Sequence, residues 1–375
     1  MTKLAKVTTK RRPLDILDYM ANEKFFLIFI TIGFIFPVVF INNSMILMWT
    51  GFLFASYAAV ANDSIQSLGT FIESNQTKKW WLLWLFVGSI FLVTVAFSWF
   101  YFDGDVTYQR LLDSNGVTKF PHPKKFSYFQ VIAPLVLIIL TRLKMPVSTT
   151  FLLLSVFSAS SSGISSMVIK SLSGYGLAFI LSFLIWYLSY NLIKRFFKSR
   201  KTNVGWVVVQ WIISGSLWAT WVMQDGANIA VFLPRQQTPV YFIIFSLTIF
   251  LGLGILFYLR GDKIQKIVSE KVRISDVRAA TLVDFTYVLL LIYKLFISTI
   301  PMSTTWVFLG VIGGREIAVS FARKKVCKKH KFKAGRMILR DISYATIGLV
   351  ISIALASGAN PSIRNEIVSF IKNLF

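Results

Sequence analysis

Apolar runs of bilayer length alternate along the chain with short polar or basic stretches. They fall near 25–41, 45–61, 80–101, 127–141, 147–168, 174–193, 205–223, 240–259, 280–298, 303–321 and 341–357. A helix needs about 20 apolar residues to cross a hydrocarbon core of about 30 Å. Each long run therefore predicts a membrane helix, and each short one a broken or re-entrant helix. The run at 25–41 follows a long basic leader, and the Asn42-Asn43-Ser44 behind it is no small-x-small cleavage site. It predicts a retained first span rather than a signal peptide. After the last run, Ile363, Ile367, Phe370 and Ile371 recur at roughly helical spacing, which predicts an interfacial helix.

Composition strengthens this picture. Of 375 residues, 55% are hydrophobic and only 15% charged, too few charges to cover a soluble protein of this size. The net charge of +24 raises the question of nucleic acid, but the basic residues lie between apolar runs instead of forming one patch. They read as cytoplasmic loops facing anionic lipid, so no nucleic-acid partner is expected. Lys194 to Lys201, the 260–278 loop and the 323–340 loop are the most basic, and alternating spans from an inside N-terminus places all three inside. The 102–126 loop, with Asp103, Asp105 and Asp113, then falls outside. A plasma or inner membrane protein with a cytoplasmic N-terminus is expected. The single cysteine, Cys327, excludes an intramolecular disulfide, and His122 and His330 both lie outside the apolar runs, which argues against a histidine metal site in the membrane.

Two short patterns recur in the same order. Pro146-Val147-Ser148-Thr149-Thr150 returns as Pro301-Met302-Ser303-Thr304-Thr305, 155 residues later. Asn62-Asp63-Ser64-Ile65-Gln66 returns as Gln224-Asp225-Gly226-Ala227-Asn228, its aspartate 162 residues later. The chain therefore divides into a basic leader (1–24), an extra N-terminal span (25–44), a first repeat (45–193), a basic linker (194–204), a second repeat (205–357) and a C-terminal segment (358–375). Each repeat has about five membrane segments. Two homologous units with an odd number of spans are inverted relative to each other, an arrangement found in many secondary transporters. The expected fold is an all-α polytopic membrane protein with two inverted-topology repeats, broken or re-entrant helices and one extra span.

The repeated residues suit two opposite charges. Proline cannot continue a preceding helix, and Ser or Thr just after it is a preferred N-cap. A helix starting there offers free N–H groups and a partial charge of about +0.5 e. At mid-membrane such an end, with the hydroxyls of Ser148, Thr149, Thr150, Ser303, Thr304 and Thr305, makes an oxyanion site. The plainer alternative is that these residues only cap their helices. Asp63 and Asp225 end apolar runs, where an ionised carboxylate costs about 2.5–3.5 kcal/mol or more at the bilayer centre. A cation offsets that cost, and Asn62, Gln66, Gln224 and Asn228 offer carbonyl oxygens that suit a hard ion such as Na⁺. Gly69 and Gly226 would let the helix break beside each aspartate; the alternative is that the aspartates cap helix ends at the interface. Asp284 and Lys294 share one run, about 15 Å apart along a helix, with Asp284 expected at the inner interface and Lys294 snorkelling near the outer end. The serine-rich tract from Ser155 to Ser166 is expected to permit close helix packing.

The segment Val60-Ala61-Asn62-Asp63-Ser64-Ile65-Gln66-Ser67-Leu68-Gly69-Thr70 resembles the first signature of the PiT family of inorganic phosphate transporters, usually Gly-Ala-Asn-Asp-Val-Ala-Asn-Ala-Phe-Gly-Thr. Gln224 to Asn228, with Pro234 downstream, is similar to a weakened second signature. Both Ser-Thr-Thr copies are similar to the family's Pro-Val-Ser-Thr-Thr-His element, and the resemblance covers most of the chain after residue 45. The family histidine is replaced by Phe151 and Trp306, and the following glycine is Ser155 in the first copy and Gly310 in the second. Gln224 and Gln66 stand where the family has asparagine, and Val60 where it has glycine. The resemblance implies a symporter of inorganic phosphate coupled to Na⁺ or H⁺, with sulfate or another oxyanion as the alternative cargo. Asn62, Asp63, Gln224 and Asp225 would bind the cation, with Asp63 and Asp225 ligating Na⁺ if the coupling ion is sodium. The six Ser-Thr-Thr residues would line the anion pocket, and Gln66 and Asn228 would help to place the anion. No cofactor is expected beyond the coupling ion, the lipid bilayer is the surrounding partner, and a homo-oligomer is compatible with the family. Readings from other classes are an anion-binding receptor and a membrane-embedded lipid phosphatase. The second lacks a base or histidine beside the hydroxyls, so the chain is not expected to be an enzyme.

Overall fold

A computed structural model describes residues 23–112, 119–143, 145, 147–198, 203–259, 276–297, 301–322 and 328–372. The leader 1–22, Asp113, Pro146 and the basic stretches 199–202, 260–275 and 323–327 lie outside the described residues. Regular structure among the described residues is helical, in the order α1 (Lys24–Val39), α2 (Ser44–Ser74), α3 (Trp80–Tyr101), α4 (Tyr128–Arg142), α5 (Thr149–Leu154), α6 (Ser161–Lys198), α7 (Val204–Ala230), α8 (Pro239–Tyr258), α9 (Val277–Ile297), α10 (Thr304–Ala322), α11 (Lys328–Ala359) and α12 (Pro361–Lys372). Eight described helices, α2, α3 and α6 to α11, are long and apolar enough to cross a membrane. Their wide exposed apolar faces, such as Val93 and Phe100 on α3 or Ile255 on α8, suit lipid and not water. The chain is a polytopic membrane protein.

Local chemistry explains where the helices begin. The Asn43 side chain caps α2 by accepting from the Ile46 amide at 3.1 Å. Ser127 and Gln130 cap α4 reciprocally, each side chain taking the other's backbone N–H. Pro239 and Pro361 open α8 and α12, where a missing N–H costs nothing.

The two expected spans at 147–168 and 174–193 are organised differently. The chain makes the six-residue α5 and a single 3₁₀ turn at Ser155–Phe157, then breaks at 158–160 and continues as the 38-residue α6. Serines cause the break: the Ser158 hydroxyl bonds the Ser160 carbonyl at 2.8 Å, and Ser160 and Ser162 share a 2.7 Å contact. Such side chains compete with the helical backbone. The expected breaks at Gly69 and Gly226 do not occur, because α2 and α7 run unbroken through both positions.

Pairing of the helices places the site. α2 packs on α7 and runs antiparallel to it: Asn75 meets Gln210 at one end, and Gly51 meets Phe232 towards the other. α3 and α8 are likewise antiparallel, with Trp84 donating to the Phe250 carbonyl at 2.9 Å and Trp99 to the Gln237 carbonyl at 2.8 Å. α4 packs on α2, and α9 packs on α7. α5 packs on α11, and α10 packs on α6. The last of these contacts is the closest, because Gly310 and Gly314 bring the α10 backbone against α6 at Tyr175 and Phe179. Of the C-terminal segment, Ile363 is buried and Ile367 half-buried on α12.

Candidate functional site

Asp63 and Asp225 project from the interiors of α2 and α7, both buried, so neither caps a helix end. The two carboxylates are close enough to repel each other. Between them lies the first Ser-Thr-Thr segment. Asp63 Oδ1 accepts from Thr149 Oγ1 at 2.5 Å and from Asn62 Nδ2 at 2.9 Å. Asn62 Nδ2 also reaches Thr149 Oγ1 and the Val147 carbonyl. Asp225 Oδ1 accepts from Thr150 Oγ1 at 3.1 Å and from Asn228 Nδ2 at 2.9 Å. Adjacent threonines thus bond aspartates that are 162 residues apart in sequence.

The two Pro-x-Ser-Thr-Thr segments also touch each other. Thr150 Oγ1 lies 3.5 Å from the Met302 carbonyl, and Thr305 Oγ1 lies 3.4 Å from the Val147 carbonyl. Thr304 directs a further hydroxyl towards Asp225, while its carbonyl accepts from the Tyr287 hydroxyl at 2.9 Å. Phe151 and Trp306, which follow the two copies, meet edge to face at 5.8 Å.

Not every expected residue joins the cluster. Ser148 and Ser303 cap α5 and α10, accepting from the amides of Phe151 and Trp306 at 3.1 and 3.2 Å. The plainer capping role therefore describes both serine oxygens. α5 is six residues long, so its end carries less of the dipole than the end of the 19-residue α10. Gln224 turns away from the carboxylates and donates to the Leu291 carbonyl at 2.9 Å.

Four buried oxygens of the two Asp-amide motifs have no hydrogen-bond partner among the described residues: Asp63 Oδ2, Gln66 Oε1, Asp225 Oδ2 and Asn228 Oδ1. All are acceptors. At Asn228 the assignment is fixed by chemistry, since only its nitrogen can donate to the Asp225 carboxylate. Open acceptors beside two carboxylates fit a cation. Among the described residues no group of three or more His, Cys, Asp or Glu comes together, so any ion here is held by a mixed set of carboxylate and carbonyl oxygens.

A second polar layer went unread in the sequence. Asp284 is buried on α9 and accepts from Thr70 Oγ1 of α2 and Ser214 Oγ of α7, each at 2.5 Å. It ties together the two helices that carry Asp63 and Asp225. Nearer the end of α2, Asn75 donates to Gln210 at 3.0 Å and accepts from Trp211. The signal was a stripe, since Asp63, Ser67, Thr70 and Ser74 follow i, i+4, i+7, i+11 on one face of α2. Thr70→Val or Ser214→Ala leaves one oxygen of a buried carboxylate without its donor, costing about 1–3 kcal/mol. The expected result is a lower thermal unfolding midpoint in detergent for each variant; unchanged midpoints in both would show that the tie does not stabilise the fold. Lys294, expected to snorkel, is instead buried and donates to Ser173 Oγ of α6 at 2.9 Å.

No family model matches the sequence, and no curated protein matches it. Among solved structures, the fold is similar to that of one described as "The sodium-dependent phosphate transporter". The likeness has a TM-score of 0.55 at 17% identity and covers 87% of this chain and 99% of that one. It shows the fold of the chain.

Proposed function

We propose that the chain is a secondary transporter that carries inorganic phosphate together with a cation, with Na⁺ as the first candidate for the coupling ion. The observation that carries this reading is the shared Ser-Thr-Thr segment, in which Thr149 bonds Asp63 and Thr150 bonds Asp225. The fold it shares with a structure described as a sodium-dependent phosphate transporter supports the choice of cargo and ion. Residues 45–193 and 205–357 act as inverted repeats, a reading supported by the antiparallel run of α2 against α7 and α3 against α8. The two halves expose the site alternately to either side.

The geometry also suggests an order of events. Without a cation, the Thr149 and Thr150 hydroxyl protons are engaged by the two carboxylates. A cation taken up by Asp63, Asp225 and the open oxygens of Gln66 and Asn228 cancels one of the pair's two negative charges and draws the carboxylates towards itself. The threonine protons are then free to turn to an oxyanion, so the cation binds first. Gln66 and Asn228, expected on the anion side, join the cation set in this proposal because the atoms they leave open are acceptors. The donors for the anion are Thr149, Thr150, Thr304 and Thr305, with Ser148 and Ser303 holding the two helix starts in place.

The deciding measurement is uptake of labelled phosphate into proteoliposomes under an imposed Na⁺ or proton gradient, with sulfate and arsenate as competitors. Uptake that collapses with one of the gradients is expected. Phosphate and sulfate uptake indifferent to both gradients, or inorganic phosphate released from a polyprenyl phosphate, would overturn the proposal.

A further inference from the structure

The first Ser-Thr-Thr segment is held at both ends. Thr149 and Thr150 tie its start to the two aspartates. From there Thr149 to Phe157 form a buried rod of α5 and one 3₁₀ turn, about 15 Å long. α11 runs beside this rod in the same direction. Val147, at the near end, rests against Gly348, where a β-carbon would lie 2.5 Å from it. Ser155 Oγ then reaches the Ser352 carbonyl at 3.3 Å, and the Ser158 carbonyl meets Asn360 just past the end of α11.

Where the rod ends, the break at 158–160 leaves backbone groups without helical partners, and each such group is costly unless something else meets it. The residues after α11 meet three of them. Asn360 Nδ2 donates to the Ser158 carbonyl at 3.0 Å and to the Ala159 carbonyl at 3.3 Å. Glu366 of α12 accepts from the Ser161 amide at 3.3 Å, which places a carboxylate at the start of the 38-residue α6, where the helix dipole favours it. A fourth group, the Ala159 amide, finds the Lys119 carbonyl at 3.1 Å. Asn360 Oδ1 meanwhile accepts from the Ser362 amide at 2.9 Å and opens α12, which Ile363 anchors in the core. The corner between α11 and α12 thus closes over a break 201 to 205 positions earlier in the chain.

A helix as short as α5 has little stability of its own, so its place is set by whatever holds its two ends. One end carries the threonine hydroxyls of the site, and the other is held by Asn360 and Glu366. We propose that Asn360 and Glu366 are positioning residues for the first Ser-Thr-Thr segment: the α11–α12 corner clasps the break at 158–160 and thereby keeps Thr149 and Thr150 aligned with Asp63 and Asp225. The inference rests on the transport reading above and adds to it residues that act on the site from the far end of α5. It also gives α12 a purpose beyond lying at an interface.

The test uses the full chain with Asn360→Ala, Asn360→Asp and Glu366→Gln. Asn360→Asp keeps an oxygen to cap α12 and removes only the donor, so it reports even if Asn360→Ala fails to fold. Amide hydrogen exchange over 155–161 is measured in detergent, with exchange over α3 as the reference for general stability, and phosphate uptake is measured in proteoliposomes. Both Asn360 variants are expected to exchange at least about tenfold faster over 155–161, with α3 unchanged. KM for phosphate should rise about fivefold with kcat changed less, because only molecules with the threonines in place bind. Glu366→Gln keeps an acceptor and should show smaller changes in both. Unchanged exchange over 155–161, or faster exchange with KM within twofold of the parent, would overturn the positioning role and leave the transport reading intact. A parent that carries no phosphate under either gradient sinks the transport reading, and the clasp is then judged by protection from thermal unfolding by NaCl. A shift of that protection to higher concentrations in Asn360→Asp supports the clasp, whereas an unshifted curve, or a parent that NaCl does not protect, removes it as well.

Discussion

Asp225→Asn is expected to abolish cation-dependent uptake while leaving the protein folded. Asparagine keeps the shape of the side chain and an oxygen to accept from Thr150 and Asn228, as Asp225 Oδ1 does now. Its amide nitrogen would take the place of Oδ2, which has no partner to lose among the described residues. Only the charge goes, and with it the attraction for a cation. A fall of at least about 100-fold in kcat/KM is expected, equivalent to about 2.7 kcal/mol of lost transition-state stabilisation. Asp63→Asn should behave the same way, since Asp63 Oδ2 is open in the same sense. Each substitution also removes one of two buried carboxylates that repel each other. The thermal unfolding midpoint should accordingly hold or rise, which separates this outcome from misfolding. Normal uptake of phosphate and sulfate by either variant would sink the transport proposal.

These aspartates were legible in the sequence because a carboxylate inside an apolar run has no cheap structural explanation, and because the pattern around each one recurs. The same reasoning misplaced their surroundings. Glycine beside an aspartate suggested a break, yet within the membrane a continuous helix satisfies every backbone group, and α2 and α7 stay whole. The breaks fall instead at the Ser-Thr-Thr starts and at Ser158–Ser160, where side-chain oxygens replace backbone partners. The partners of Asp284 are not legible, because nothing in its own run shows that Thr70 and Ser214 will meet it. Such a contact depends on three helices far apart in sequence, and periodicity reads only one helix at a time.

Of the fold, the long spans were legible from length and hydropathy alone, since α3, α8, α9 and α10 lie within a few residues of the apolar runs that predicted them. The close contact of α10 with α6 was not. The serine tract after the first Ser-Thr-Thr does pack closely, with Ser155 Oγ reaching the Ser352 carbonyl of α11 at 3.3 Å, and its hydroxyls also accompany the break at 158–160. The glycines that allow the closest approach follow the second copy, spaced as Gly310-x-x-x-Gly314. A pair of glycines four apart is common in membrane helices, and its importance here depends on which helix it faces.

That contact carries the second large effect. A β-carbon at Gly310 would lie 2.6 Å from the Tyr175 carbonyl oxygen and 2.8 Å from Ala178 Cβ, and one at Gly314 would collide with the Phe179 carbonyl oxygen. Apart from Ala178 Cβ these obstacles are backbone atoms of α6, and none of them can swing aside as a flexible side chain could. Gly314→Leu must therefore push the two helices apart, breaking the 2.6 Å bond from Ser182 Oγ to the Val311 carbonyl. It must also shift Ser303 and Thr304 at the start of α10, where Ser171 of α6 holds the Ser303 amide. Overpacking of this kind costs about 1–3 kcal/mol or more, and here the displacement reaches the site as well. Gly314→Leu is expected to lose both a monodisperse peak on size-exclusion chromatography and uptake, and Gly314→Ala to retain reduced amounts of each. Gly335→Ala is the control, because among the described residues no atom of another element lies within 4 Å of where its β-carbon would sit, and alanine there favours the helix by about 1 kcal/mol. If Gly314→Leu matched the Gly335→Ala control in yield, midpoint and uptake, α10 would not depend on its approach to α6, and the path proposed from that contact to the Ser-Thr-Thr segment would fail with it.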